Sequence, residues 1–213
     1  MMGFIENNFY GFFKFLLDLT KDYGLALLIF VFILRLAMLP LSFLNFREEV
    51  KLKKIRPKIK EIMEKYKSDP LKQIEELNKV YEEFKYNPIL TLFLQFLPLP
   101  ILISIFFVLK KIVQEDKKIF FLGIIDLTSK NVFLIILTIL IQAIYFFMQT
   151  KGEKENLKMQ MFFLFLIFLI MIQFPSIFTL YWLSNLILMI AERKLFEIYN
   201  IKFSVISVPK NKS

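Results

Sequence analysis

Apolar and polar positions fall into long blocks along this chain. From Leu25 to Leu44 it reads LALLIFVFILRLAMLPLSFL, a run long enough to cross a bilayer as a helix, and this predicts a first span over 24–45. The preceding segment, 1–23, is amphipathic. Asn7, Gly11, Lys14, Asp18 and Lys21 recur at steps of four and three, a single polar stripe on an aromatic and aliphatic helix. Such a helix lies in the membrane interface or packs on the protein's own spans. After the first span comes the one soluble stretch, 46–86, dense in charges of both signs. In it Leu52, Ile55, Ile59, Ile62 and Tyr66 step by three and four, and Ile74, Leu77, Tyr81 and Phe84 do so again after Ser68-Asp69-Pro70. Asp69 suits a helix N-cap and Pro70 a first helical turn. The pattern predicts an antiparallel helical hairpin about 24 Å long with a narrow apolar seam.

Asn87-Pro88 restarts the chain into a second apolar run, 88–109, with Pro98 and Pro100 as expected kinks. A polar loop over 110–130 leads to a third span, 131–149. The last apolar block, 159–191, holds 33 residues, roughly 50 Å as a helix against a hydrocarbon core of about 30 Å. With Pro175 at its middle, it reads as two spans, 159–174 and 176–191, meeting in a tight turn. The fold class expected is therefore an all-α polytopic membrane protein with five transmembrane helices, an N-terminal amphipathic helix and a helical hairpin. Residues 87–195 carry spans two to five, and 196–213 form a basic tail. With the hairpin in the cytoplasm, twenty Lys and Arg fall on that side and seven opposite. That asymmetry places the N-terminus outside and the C-terminus inside.

Composition narrows the chemistry. The chain is 57% hydrophobic, with mean hydropathy +0.57. Cysteine and histidine are absent, which removes disulfides, thiol nucleophiles, Cys-based metal sites, a lipoprotein cysteine and the commonest general base. No cofactor or metal is expected. A net charge of +9 suits anionic lipid head groups or ribosomal RNA, and part of it serves topology. The segment MMGFIENNFYGFFKFLLDLT has no basic n-region or small-residue cleavage site and does not read as a signal peptide.

Arg35 stands in the middle of the first span. A charge there costs roughly 2.5–3.5 kcal/mol on insertion scales, and at about 16 Å from either end it cannot comfortably snorkel out. An ion pair with another span is the plain structural alternative. The other apolar runs, however, hold no Asp or Glu until Glu192 at the end of the last. The expectation is thus an arginine facing a wet intramembrane cavity.

Three sets of residues carry a resemblance to the YidC/Oxa/Alb family of membrane insertases. Arg35 is followed by Pro40-Leu41-Ser42. The hairpin opens with Arg56-Pro57-Lys58-Ile59 and continues to Asp69, Tyr81 and Asn87-Pro88. Phe174-Pro175-Ser176 precedes Leu180-Tyr181-Trp182 and Asn185. In this order over residues 24–195 they resemble the family specifically. The chain departs from its pattern in the second span. There Leu90-Thr91 replace two glycines, Leu94 replaces a proline, and Pro98 stands where a glutamine is expected, with Gln95 nearby. The sequence reads as a minimal five-span core without a large extracytoplasmic domain.

The resemblance implies a bacterial inner-membrane insertase and chaperone, not an enzyme. Its arginine would lie in a groove open to the cytoplasm and to lipid. Gln142, Tyr145 and Gln149 share one face of the third span, and Tyr181, Ser184, Asn185 and Glu192 one face of the fifth, with Trp182 beside it. These are the expected groove residues. Helix–helix contact, worth about 0.6 kcal/mol per polar pair, is the alternative for the amides. Implied partners are nascent membrane proteins with short translocated segments, anionic lipids, the ribosome through the basic tail, and the Sec translocon, but not DNA. Three rival readings are an anion channel or transporter with Arg35 on its path, an intramembrane enzyme and a pure scaffold. The first predicts conductance and usually internal repeats, none of which is visible. The second lacks an intramembrane nucleophile–base pair, since no lysine lies within a span beside Ser184. The third overlaps with insertion.

Overall fold

The computed structural model describes residues 2–115, 118–150 and 154–206. Among them helices α1 (Met2–Thr20), α2 (Tyr23–Lys65), α3 (Pro70–Glu83), α4 (Pro88–Phe96) and α5 (Leu99–Glu115) come first. A short antiparallel hairpin follows, β1 (Phe120–Phe121) and β2 (Ile125–Asp126), and then α6 (Val132–Thr150), α7 (Lys154–Met171) and α8 (Ser176–Ile206). Tyr23–Lys65 and Pro88–Glu115 are long and apolar enough to cross a membrane, and Val132–Phe147 and Met159–Met171 are shorter apolar helices. The architecture is that of an all-α membrane protein. On α6 the exposed residues include Phe133, Ile136, Leu140, Ile144 and Phe147, an apolar stripe of the kind that marks a membrane or partner contact.

The chain forms two compact units. One contains α1, the start of α2 through Ala37, and α5 to α8; the other runs over Met38–Leu99. In the first, α1 packs on the protein's own helices, one of the two arrangements its pattern allowed. Phe13 and Leu16 enter a core with Leu27, Phe30, Ile105, Ile112 and Ile177, and the rings of Phe9, Phe12 and Phe13 gather within 5.7–6.0 Å of Phe30. Phe15 and Leu19 stay exposed. A polar knot ties α1 to the end of α5. Tyr10 donates to Glu115, Lys14 pairs with Glu115 at 3.6 Å, and Lys111 sits 4.0 Å above the Tyr10 ring. Burial, reinforced by the Glu115 carboxylate, raises the Tyr10 pKa.

The stretch after α5 is more ordered than the expected polar loop. Leu122 and Gly123 both adopt positive φ (53° and 67°), the hairpin geometry that favours glycine. Asp22 joins this hairpin to α2, its carboxylate accepting from Leu25 N at 2.8 Å and from Leu122 N at 2.6 Å. Gly24 lies so close under Phe121 that a Cβ would overlap the ring. The same loop satisfies the start of α8. Ser176 N donates to Ser129 O at 2.9 Å and Ile177 N to Leu127 O at 3.0 Å, and the Ser176 hydroxyl adds a bond to Ser129 O at 2.6 Å. The first N–H groups of a helix have no partner within it and need such acceptors.

In the second unit Ile55 is fully buried with Val80 and Tyr86, flanked by Leu52, Ile59, Ile62, Tyr81 and Phe84. Leu52, Ile55, Ile59, Ile62, Tyr81 and Phe84 of the expected seam meet here, while Ile74 is exposed and Val80 takes a core place. Asp69 Oδ1 accepts from Lys72 N at 3.1 Å, with Pro70 opening the helix, as expected.

Several boundaries move. The first span and first hairpin arm form one helix that continues through Pro40 and Pro57. The second apolar run is interrupted between α4 and α5, where Pro98 lacks a donor, and extends past 109 to Glu115. α7 ends at Met171, three residues before the expected 174, and α8 runs well past 191 to Ile206. Of the basic tail, 207–213 lie outside the described residues.

Candidate functional site

The site begins with one side chain that the membrane should reject. Arg35 lies twelve residues into α2, and α8 supplies what it needs. Its Nε donates to Asn185 Oδ1 at 2.7 Å, Nη2 to the Asn185 carbonyl at 3.3 Å, and Nη1 to Glu192 Oε2 at 3.2 Å. The Arg35 and Glu192 side chains are only 15% and 10% exposed. Asn185 and Glu192, seven residues apart, share a helix face, and the long guanidinium arm bridges the two turns between them. This corrects the expectation of an arginine without a carboxylate partner. Glu192 does not end its helix, since α8 continues far beyond it, and it is buried.

Gln142 and Tyr145 are buried on α6 beside Thr138, opposite the exposed apolar stripe. Gln142 Oε1 accepts from Trp182 Nε1 at 3.3 Å, which joins α6 to α8 and satisfies two polar groups that lipid could not. Gln149 is on the same helix, but its side chain lies outside the described residues. Tyr181 is buried, within electrostatic reach of Arg35. Ser184 is also buried and donates to Leu180 O in its own helix at 2.6 Å, so its hydroxyl is occupied. The arrangement thus contains two polar links between neighbouring helices, Arg35 with Asn185 and Glu192, and Gln142 with Trp182. It can hold and exchange charge and hydrogen bonds.

The hairpin residues form a separate set in the second unit. Arg56, Pro57 and Lys58 are exposed. Lys58 bonds both carboxylate oxygens of Glu83 at 3.0 Å and lies 4.6 Å above the Phe84 ring. Tyr81 is half-buried, its ring 5.4 Å from that of Tyr86, and burial raises its pKa, with Tyr86 adding to the shift. The sequence puts Glu192 on the same face of the last span as Tyr181, Ser184 and Asn185 without pairing it to Arg35. Its i+7 spacing from Asn185 was the signal available.

The sequence compares with known proteins over nearly its whole length. The family model described as 60Kd inner membrane protein matches residues 15–202. A protein of Citrifermentans bemidjiense named membrane protein insertase YidC is 28% identical over 185 residues, 84% of this chain and 34% of the relative. The protein of that name from Francisella tularensis subsp. novicida is 26% identical over 198 residues, 91% of this chain and 36% of the relative. The chain thus spans about a third of the length of the curated relatives it matches.

Proposed function

Because the chain belongs to the 60Kd inner membrane protein family, we propose that it inserts and folds newly made membrane proteins through a hydrophilic groove carrying Arg35, without nucleotide hydrolysis. The single observation that carries this reading is the polar cluster itself. An arginine, an amide and a carboxylate meet between α2 and α8, at a depth where charge is costly and where a purely structural contact is cheaper to build from apolar side chains.

The substrate's own burial drives the reaction. A nascent span of about 20 apolar residues gains several kcal/mol in lipid, at a few tenths each. The slow step is carriage of the polar flank across hydrocarbon. A wet half-channel shortens that dry path, and the Arg35 guanidinium attracts acidic residues of the flank while they are poorly solvated. Gln142, Tyr145 and Gln149 on α6 and Tyr181, Trp182, Ser184 and Asn185 on α8 line the route along which the apolar part leaves sideways. With five spans and twenty Lys and Arg on the hairpin side against seven opposite, the positive-inside bias favours an N-terminus outside and a hairpin and C-terminus in the cytoplasm of a bacterial cell. There the hairpin, with Arg56, Lys58, Asp69 and Tyr81, receives the substrate, and the basic C-terminal stretch meets the ribosome and anionic lipid, alone or beside the Sec translocon.

The test is insertion of a small single-span protein with an acidic flank into liposomes that contain only this purified chain. Protease protection of the flank is expected with the wild type, to be reduced in Arg35→Ala and abolished in Arg35→Glu. Equal protection by all three would remove Arg35 from the mechanism. No protection above empty liposomes would overturn the insertase reading.

A further inference from the structure

Arg35 meets its substrate already paired. Three of its five N–H donors are engaged, one of them by the Glu192 carboxylate at 3.2 Å, and both charged side chains are at least 85% buried. At rest the two charges cancel. A flank carboxylate that approaches therefore gains only the difference between the pair it forms and the pair it breaks. Removing one member of a buried pair without replacement is strongly unfavourable, so the partners must be exchanged in step.

The two α8 partners are not equivalent. Asn185 lies about 14 Å from the start of α8 and Glu192 about 24 Å. On the insertase reading, on which this inference rests, Glu192 is nearer the cytoplasmic water and can be rehydrated when displaced. Asn185 stays to orient the guanidinium through Nε.

We propose that Glu192 is the resting counter-ion of Arg35 and competes with acidic residues of the incoming flank, so that it sets how much negative charge a substrate must carry. One flank carboxylate barely outbids it; several in succession hold the arginine long enough for the flank to cross. With Gln at this position the site carries an uncompensated positive charge, and a single carboxylate suffices.

The experiment uses the full chain in liposomes and single-span substrates that differ only in carrying one or three Asp in the translocated flank. The readout is the ratio of protected one-Asp to three-Asp flank. Glu192→Gln is expected to raise that ratio roughly tenfold, equivalent to 1.4 kcal/mol and near the low end for one charge-assisted hydrogen bond. Glu192→Asp, whose carboxylate sits one methylene further back, is expected to raise it less. An unchanged ratio in Glu192→Gln, or an equal decline with both substrates, would overturn the counter-ion role and leave Glu192 a structural partner. If Glu192→Gln does not accumulate, the ratio for Glu192→Asp decides by the same rule. Wild type against Arg35→Glu on the three-Asp substrate separates the two proposals. Arg35-dependent insertion with an unmoved Glu192 ratio sinks only the counter-ion role, whereas no wild-type insertion sinks the insertase reading and this proposal with it.

Discussion

Replacing Gly24 by alanine should loosen the end of the molecule where α2 begins. Two effects oppose each other. Alanine in a helix interior is favoured over glycine by up to about 1 kcal/mol, and less so at the second residue of α2. Against this, the new Cβ would fall 2.6 Å from the Phe121 Cβ and closer still to its ring carbons, where about 3.5–4.0 Å is the optimum. The overlap is with the base of the Phe121 side chain, so swinging the ring tip away does not relieve it. The hairpin backbone must shift instead. That backbone is pinned by the Asp22 bond to Leu122 N at 2.6 Å and by the pairing of Phe121 with Ile125. Overpacking of this kind costs typically 1–3 kcal/mol, so steric cost wins by about 1–2 kcal/mol. For a chain of this length that corresponds to a fall in Tm of about 2–8 °C, readable by thermal unfolding in detergent micelles. In a Phe121→Gly background, which removes the Cβ as well as the ring, the same glycine substitution should cost nothing. Neutral or stabilising Gly24→Ala, or an equal cost in both backgrounds, would refute the reasoning.

Two further outcomes follow from the polar links. A double-mutant cycle of Gln142→Leu and Trp182→Phe, measured by unfolding in micelles, should give a coupling of about 0.6 kcal/mol, as found for interhelical hydrogen bonds in membranes; zero coupling would mean the 3.3 Å contact has no energetic weight. Asp126 lies outside the spans, and its bonds from the Thr128 hydroxyl and amide, then from Ser129, hold its carboxyl below the ordinary range against slight desolvation. A depressed folded-state pKa gives stability that is full above the unfolded carboxylate value and lost as pH falls through the folded one. Protection factors of amides in the 118–130 loop, taken relative to intrinsic exchange at each pH, should therefore fall on acidification into that window in the wild type but not in Asp126→Asn.

The local sequence determined the elements of this protein. Hydrophobic runs long enough for a bilayer, the i, i+3, i+4 seams around Ile55 and Tyr81, and the Asp69-Pro70 helix start are written in neighbouring residues, because helix periodicity and capping act within a few residues. Proline positions located the break between α4 and α5 and the turn before α8, since a missing donor acts where it stands. Arg35 announced itself by cost alone. Its partners were harder to read. Which residues oppose it depends on the rotation and depth of α8 against α2, 150 positions apart, and no local period encodes either. The tertiary structure decided that Glu192 lies inside the packing and that Gln142 meets Trp182. It also decided that the loop after α5 supplies the acceptors for the start of α8. Pairings between distant segments are fixed by the whole set of contacts that bury and satisfy them together, and that set exists only once the helices have packed.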